Sequence, residues 1–437
     1  MAAPMIFCLG LGSFLRWMLF KTPCAQWLAT RQEAVTPLTS WKRVVEGVSL
    51  YSQGISPYKG DLFHEPPLML RFFDFVVTVM PGYLDLFFIV MDVVIAVVLY
   101  DTVHWYGRYL LKRQDREAKT YASDVKPLLL KSSDLFWTKT KIVALYLFNP
   151  YTIAVCLAKS TSVFNNLAIA LVFLFTLKGQ RFGAAFFVAI AGYLSLYPLM
   201  LALPVAIFML QREGKVTNYF SPSSLNDMSK TFTAVAAPFC ALLLMSYHLE
   251  GSCDFLKSTY GFILTVPDLT PNTGVFWYFF TEMFEHFRVF FLWVFQIHVF
   301  IYTVPLGVKL RDHPIFLMYV LTTIISIFKS YPSYGDASLY LSMLPMWSYV
   351  YQYVRNSLVV TCMFVCSTVL APILWHLWIY AGSANANFYF AITLVYSAGQ
   401  IFLITDVVFA FLRREFHLIN GCEPKLENGT KAEVEIR

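Results

Sequence analysis

The chain is a succession of apolar stretches, each close to the length that a helix needs to cross a bilayer. They fall near residues 4–20, 83–104, 142–158, 161–177, 182–197, 198–210, 231–249, 276–308, 314–328, 336–352, 357–379 and 388–411. A spanning helix takes roughly 20 predominantly apolar residues, fewer where it is paired with a neighbour. Inside lipid every backbone N–H and C=O must find its partner within the protein, so such stretches are restricted to helices. The expected fold is an all-α polytopic membrane protein with about twelve transmembrane helices. Composition agrees: 58% of the 437 residues are hydrophobic and 14% are charged, against about half and a quarter in soluble domains. The first stretch has no basic leader and no small-residue cleavage site, so it reads as a retained span.

Charge sets the orientation. The net +6 is spread over loops, with no basic run dense enough to suggest a nucleic-acid partner. Residues 105–141 carry Arg108, Lys112, Arg113, Arg116, Lys119, Lys126, Lys131, Lys139 and Lys141, which places that stretch in the cytosol. Alternation from there puts both termini in the cytosol. Residues 1–414 form one membrane unit, with a long luminal loop at 21–81, the basic cytosolic loop at 105–141 and a cytosolic tail at 415–437. Further luminal connections fall at 159–161, 250–275, 329–336 and 381–388. Within the first loop, TSWKRVVEGVSLY sets Trp41, Val44, Val45 and Val48 near one face of a helix lying in the interface. Asp85 and Asp92, seven apart in the second span, should point into the bundle. The Asn428-Gly-Thr sequon would face the cytosol and so go unmodified.

Polar chemistry concentrates in FILTVPDLTPNTGVFWYFFTEMFEHF, residues 262–287. Pro267 and Pro271 keep the first half out of a helix, and Glu282, Glu285 and His286 follow an aromatic block. On one helix Glu282 and His286 would lie a turn apart and could share a metal. A zincin motif needs two histidines, however, and helical pairing explains the residues as well. Arg288 follows directly, and its planar fork suits two phosphate oxygens. Arg311 is a weaker phosphate candidate on the cytosolic side. Asn385 and Asn387, in AGSANANF, offer amides of the kind that read sugar hydroxyls, or that close a turn. Asp61 and Glu65 are the best acidic pair for a general base in the first loop. The eight cysteines show no zinc spacing, and no nucleophile triad or phosphate-cradling loop is present. The sequence calls for no metal and no cofactor.

The blocks TSWKRVVEG, GISPYKGDLFHEPPL, LFNPYTI, VPDLTPNTGVFWYFFTEMFEHF, FKSYPSYGD and WHLWIYAGSANANFY together resemble the PIG-U family. These are subunits of the glycosylphosphatidylinositol (GPI) transamidase of the endoplasmic reticulum, and the resemblance runs from about Thr39 to Arg414. It implies the fold of the multi-spanning, lipid-donor (GT-C type) glycosyltransferases. It also implies a non-catalytic subunit that binds the GPI lipid and glycan and presents it for attachment to protein C-termini. Catalysis would lie in another chain. GPI, phospholipids and other transamidase subunits would be its partners, with no nucleic acid. The residues expected to hold the head group are Asn385, Arg288, His286 and Glu282, with Asn387 a further candidate and Arg311, on the cytosolic side, a weaker one. The alternative is an active mannosyltransferase using dolichyl phosphate mannose, with Asp61 or Glu65 as base. Active relatives carry an Asp-x-Asp motif early in the first luminal loop, where this chain reads TPLTSWKRVVEG, and that departure favours the binding subunit.

Overall fold

The computed structural model describes residues 3–214 and 218–422. The expectations for the Asn428 sequon and most of the tail lie outside them. Among the described residues all regular structure is helical. Six helices among the described residues are long and apolar enough to cross a membrane: Ala3–Phe20, Pro81–Glu117, Pro222–Glu250, Glu285–Lys309, Ser357–Ile379 and Ala386–Asn420. A seventh crossing would be the pair Thr138–Phe148 and Pro150–Leu157, bent by 47°. Asn149 causes the bend. The residue before a proline is pushed to extended backbone, and Asn149 sits at φ −64, ψ 125 while its side chain caps the next helix at Tyr151 N.

The remaining apolar stretches are helical but short. Ser162–Lys178, Arg181–Ser195, Tyr197–Arg212 and Pro314–Phe328 run 10–17 residues. At 1.5 Å per residue the 15-residue Pro314–Phe328 helix is about 22 Å long, below the roughly 30 Å of a hydrocarbon core. It is apolar on every side, and a helix of that kind belongs inside a larger bundle. Here fourteen of its fifteen residues are buried. The stretch expected as one span at 276–308 is divided, because Met283 turns extended (φ −83, ψ 156). The stretch at 336–352 becomes a helix to Met343 and a tighter 3-10 run with a kink at Trp347. The final helix continues through Asn420, so the boundary expected after Arg414 falls inside it.

The Trp41–Ser52 helix forms as expected, but it lies against protein. Val44 and Val48 are buried, and Trp41 packs edge-on against Phe73 and Phe88 at 5.5 and 5.2 Å. Val45, expected on the same face, is 41% exposed. The Leu84–Glu117 helix carries Asp92 inward and Asp85 to the surface, where Asp85 meets Lys159 at 2.7 Å.

Asp92 meets Arg16 of the first helix. Arg16 is fully buried. Its Nε donates to Asp92 at 2.8 Å and its Nη1 to the carbonyl of Leu147 at 2.7 Å, and Tyr146 donates to the other Asp92 oxygen at 3.1 Å. Leu147 lies in the last turn before the Asn149 bend, where helix carbonyls lose their intrahelical partners. One guanidinium therefore ties the first helix to the second and closes the break in the third. Arg16→Leu leaves Asp92 buried and unpaired, which costs about 3–5 kcal/mol in comparable pairs. The expected result is a marked fall in the thermal unfolding midpoint of the detergent-solubilised chain. The double change Arg16→Leu, Asp92→Leu should lose less, because no charge is then stranded.

Candidate functional site

The polar loops converge at one end of the bundle. The 266–275 loop is stapled to the 329–333 segment: Tyr331 donates to the Asp268 carbonyl at 3.0 Å and Thr273 to that of Pro332 at 3.0 Å. A glycine is required between them, since a Cβ on Gly274 would fall 2.6 Å from the Pro332 ring. Asp268 accepts from Arg43 at 2.9 Å and from Thr270 N at 2.9 Å. Burial works against its charge, but these bonds hold the carboxyl below its ordinary range. The first loop is thereby fixed to the 266–275 loop.

Beside this staple lies an open groove of about 810 Å³ lined by residues 58–61, His64, and positions between Asp254 and Asp268. His64 also lines a smaller inner chamber of about 50 Å³ with Glu65, Thr161, Asn165, Lys329 and Asp336. His64 stacks on Phe262 with centroids 3.5 Å apart. Its Nδ1 meets the Ser258 carbonyl at 2.8 Å, so that nitrogen carries the proton. Nε2 is then an acceptor, buried without a protein partner among the described residues. Lys329 and Asp336 pair at 2.5 Å in the chamber wall. Neither residue is among the sequence candidates. The available signal was a Lys and an Asp seven residues apart beside fully apolar helices, which calls for a partner.

The expected site residues separate into three places. Arg288 is committed to structure. Its Nη2 donates to the Val266 carbonyl at 2.8 Å, and its guanidinium lies 5.6 Å from the Phe280 ring. Val266 sits at φ +48, a left-handed conformation that costs a β-branched residue energy, and Arg288 clamps it. Glu282 ends its helix, and Glu285 and His286 stand exposed after it. Because the helix stops at Glu282, the one-turn spacing expected of Glu282 and His286 does not exist. Among the described residues no three His, Cys, Asp or Glu groups come together as a metal site.

Asn385 caps the Ala386–Asn420 helix, accepting from Asn387 N at 3.0 Å. Asn387 in turn accepts from the Tyr278 hydroxyl, and Tyr278 stacks on Phe390 with centroids 4.1 Å apart. Tyr278 lies one turn before Glu282. The Phe276–Glu282 helix therefore joins the two asparagines to the acidic cluster, a link that spacing could not reveal. Arg311 is apart from all of these. Helical residues between Arg288 and Lys309 put it roughly 30 Å away at 1.5 Å per residue, beside Asp312 and Tyr219.

These features define a multi-pass helical membrane protein whose polar loops build a lined groove at one end. The family model described as "GPI transamidase subunit PIG-U" matches residues 10–396, and the chain belongs to that family. It is 44% identical over 439 residues to the GPI-anchor transamidase component PIGU of Homo sapiens, covering 100% of both chains. It is 45% identical to the Mus musculus protein of that name, again over 100% of both chains. The GPI transamidase component GAB1 of Saccharomyces cerevisiae is 30% identical over 389 residues, 88% of each chain.

Burial pushes the Glu65 carboxyl up to about 7, against an opposing bond from Thr161, and burial also holds His64 down at about 4. The two act oppositely on stability. The Glu65 contribution is full below its unfolded value of 4.5 and is lost as pH rises to about 7. The His64 contribution is full above its unfolded value of 6.5 and is lost as pH falls to about 4. Glu65→Gln removes the first and leaves the second. Relative to the parent chain, the variant's unfolding temperature should climb from pH 4.5 to 6.5 in a thermal scan; parallel profiles would contradict this assignment.

Proposed function

We propose that the chain is a non-catalytic subunit of the GPI transamidase in the endoplasmic reticulum membrane. On this reading it binds the GPI lipid and glycan at its luminal end and presents them to a catalytic chain elsewhere in the complex. The observation that carries the reading is family membership over nearly the whole chain, together with relatives named as transamidase components. The geometry supports a head group held along the Phe276–Glu282 helix, between the Asn385 cap with Asn387 on one side and His286 with the Arg288 clamp on the other. Exposed amides and a helix end bearing acids suit hydroxyl-rich, partly cationic groups better than an apolar ligand. Arg311, at the opposite end, falls outside that site.

The twelve apolar segments would cross or enter the membrane in alternation, with the plan of the lipid-donor glycosyltransferases and both termini cytosolic. The buried short helices support this, since they pack inside the bundle. No observation favours the mannosyltransferase alternative. Asp61 is exposed at the groove, and Glu65 is turned inward to hold Thr161.

Two measurements test the reading. Asn385→Lys adds a charge at the cap and should lower surface display of GPI-anchored protein several-fold in cells lacking the native subunit, with the complex still assembled on co-purification. Normal display would refute the site. Substituting Asp61 and Glu65 should leave the GPI glycan complete, whereas accumulation of an under-mannosylated GPI would overturn the subunit reading in favour of the enzyme.

A further inference from the structure

At the end of the bundle opposite the loops lies a second groove, of about 700 Å³, between the Leu84–Glu117 helix and the ends of the Ser162–Lys178 and Ala202–Arg212 helices. We propose that it binds the headgroup of an anionic phospholipid, independently of the reading above. Depth is the first observation. The apolar run of the long helix ends near His104, and Trp105 and Tyr109 follow at the position of an interfacial aromatic belt. Both line the groove, with the buried Leu177 and Phe208 as its apolar floor.

Charge is the second. Arg108, Lys112 and Arg116 follow one another at four-residue steps along one helix face, and Arg212 closes the groove from the other side. Like charges at that spacing destabilise a helix, and the only carboxylate in the lining is Asp115. Several neighbouring cations at this end are neutralised: Lys178 by Asp101 at 2.8 Å, Arg113 by Glu117 at 2.8 Å, Arg414 by Glu415 at 3.0 Å, and Arg181 by Glu213. The four groove cations form no ion pair among the described residues. Arg212 is held over the end of its neighbour helix by Gly179, where a Cβ would come 1.6 Å from its Nη1. A concave, apolar-floored cradle with a net excess of unpaired cations at headgroup depth fits a phosphodiester whose acyl chains lie along Leu177 and Phe208.

The test is native mass spectrometry of the full chain in detergent, titrated separately with phosphatidylinositol, phosphatidylserine, phosphatidylcholine and inorganic phosphate. The expected result is retained adducts of the two anionic lipids at least tenfold tighter than phosphatidylcholine, weakening at high salt. Each of Arg108→Gln, Lys112→Gln, Arg116→Gln and Arg212→Gln should loosen anionic lipid about fivefold, the factor for roughly 1 kcal/mol per cation. The charge-preserving Lys112→Arg controls for folding and should bind as the parent chain does. Equal binding of anionic and zwitterionic lipid, or single variants that bind unchanged, would overturn the proposal. So would inorganic phosphate competing as well as lipid, which would make the site one for a free anion.

Discussion

The structure depends on one buried ion pair. Arg16 and Asp92 lie in apolar helices, where an unpaired charge would be prohibitively costly. The bonds from Arg16 to both Asp92 and the Leu147 carbonyl turn three separate problems into one solution. The first helix has little other inward surface, with only Gly12 and Arg16 buried along its length. The bend at Asn149 releases carbonyls that lipid cannot satisfy, and Asp92 needs a cation. With Arg16 in place the first three apolar segments share a fixed origin, and the short buried Ser162–Lys178 helix packs along the Leu84–Glu117 helix beside them.

The loop end is built on the same economy. Several polar groups that the loops bring below the surface are spent on the protein itself: Arg43 on Asp268, Tyr331 on the Asp268 carbonyl, Lys329 on Asp336, Arg288 on Val266. This is why so much of the polar sequence serves to hold the rim in shape. His64 Nε2 is left without a protein partner among the described residues, and Asn385, Asn387, Glu282 and His286 are exposed, the two asparagines with their carbonyl oxygens already engaged. Arg288 illustrates the distinction, since its fork is used by a strained backbone carbonyl instead of standing open to a phosphate.

The two ends of the bundle therefore differ in kind. At the loop end two cations are matched by carboxylates within the protein, Arg43 by Asp268 and Lys329 by Asp336. At the basic end four cations around a single groove form no ion pair among the described residues. The proposed glycan site and the proposed lipid site would thus lie at opposite ends of the bundle, with the buried helices between them.

The sequence by itself determined the class of fold and where its polar chemistry collects. Runs of apolar residues admit only helices in lipid, prolines at 267 and 271 forbid one at the loop, and the basic stretch after Trp105 marks one end. It placed Asp92 inward correctly, and the quoted blocks carried the family. Tertiary structure alone decided the rest. The Arg16 partner comes from a segment 76 residues away, and the helix break at Met283 separates Glu282 from His286. The bond from Tyr278 to Asn387 bridges 109 residues. Hydropathy and spacing report how each residue is tolerated by its own helix. Which buried charge meets which carbonyl, and which cation is left unpaired, is fixed only when distant segments compete for the same few partners in a medium without water.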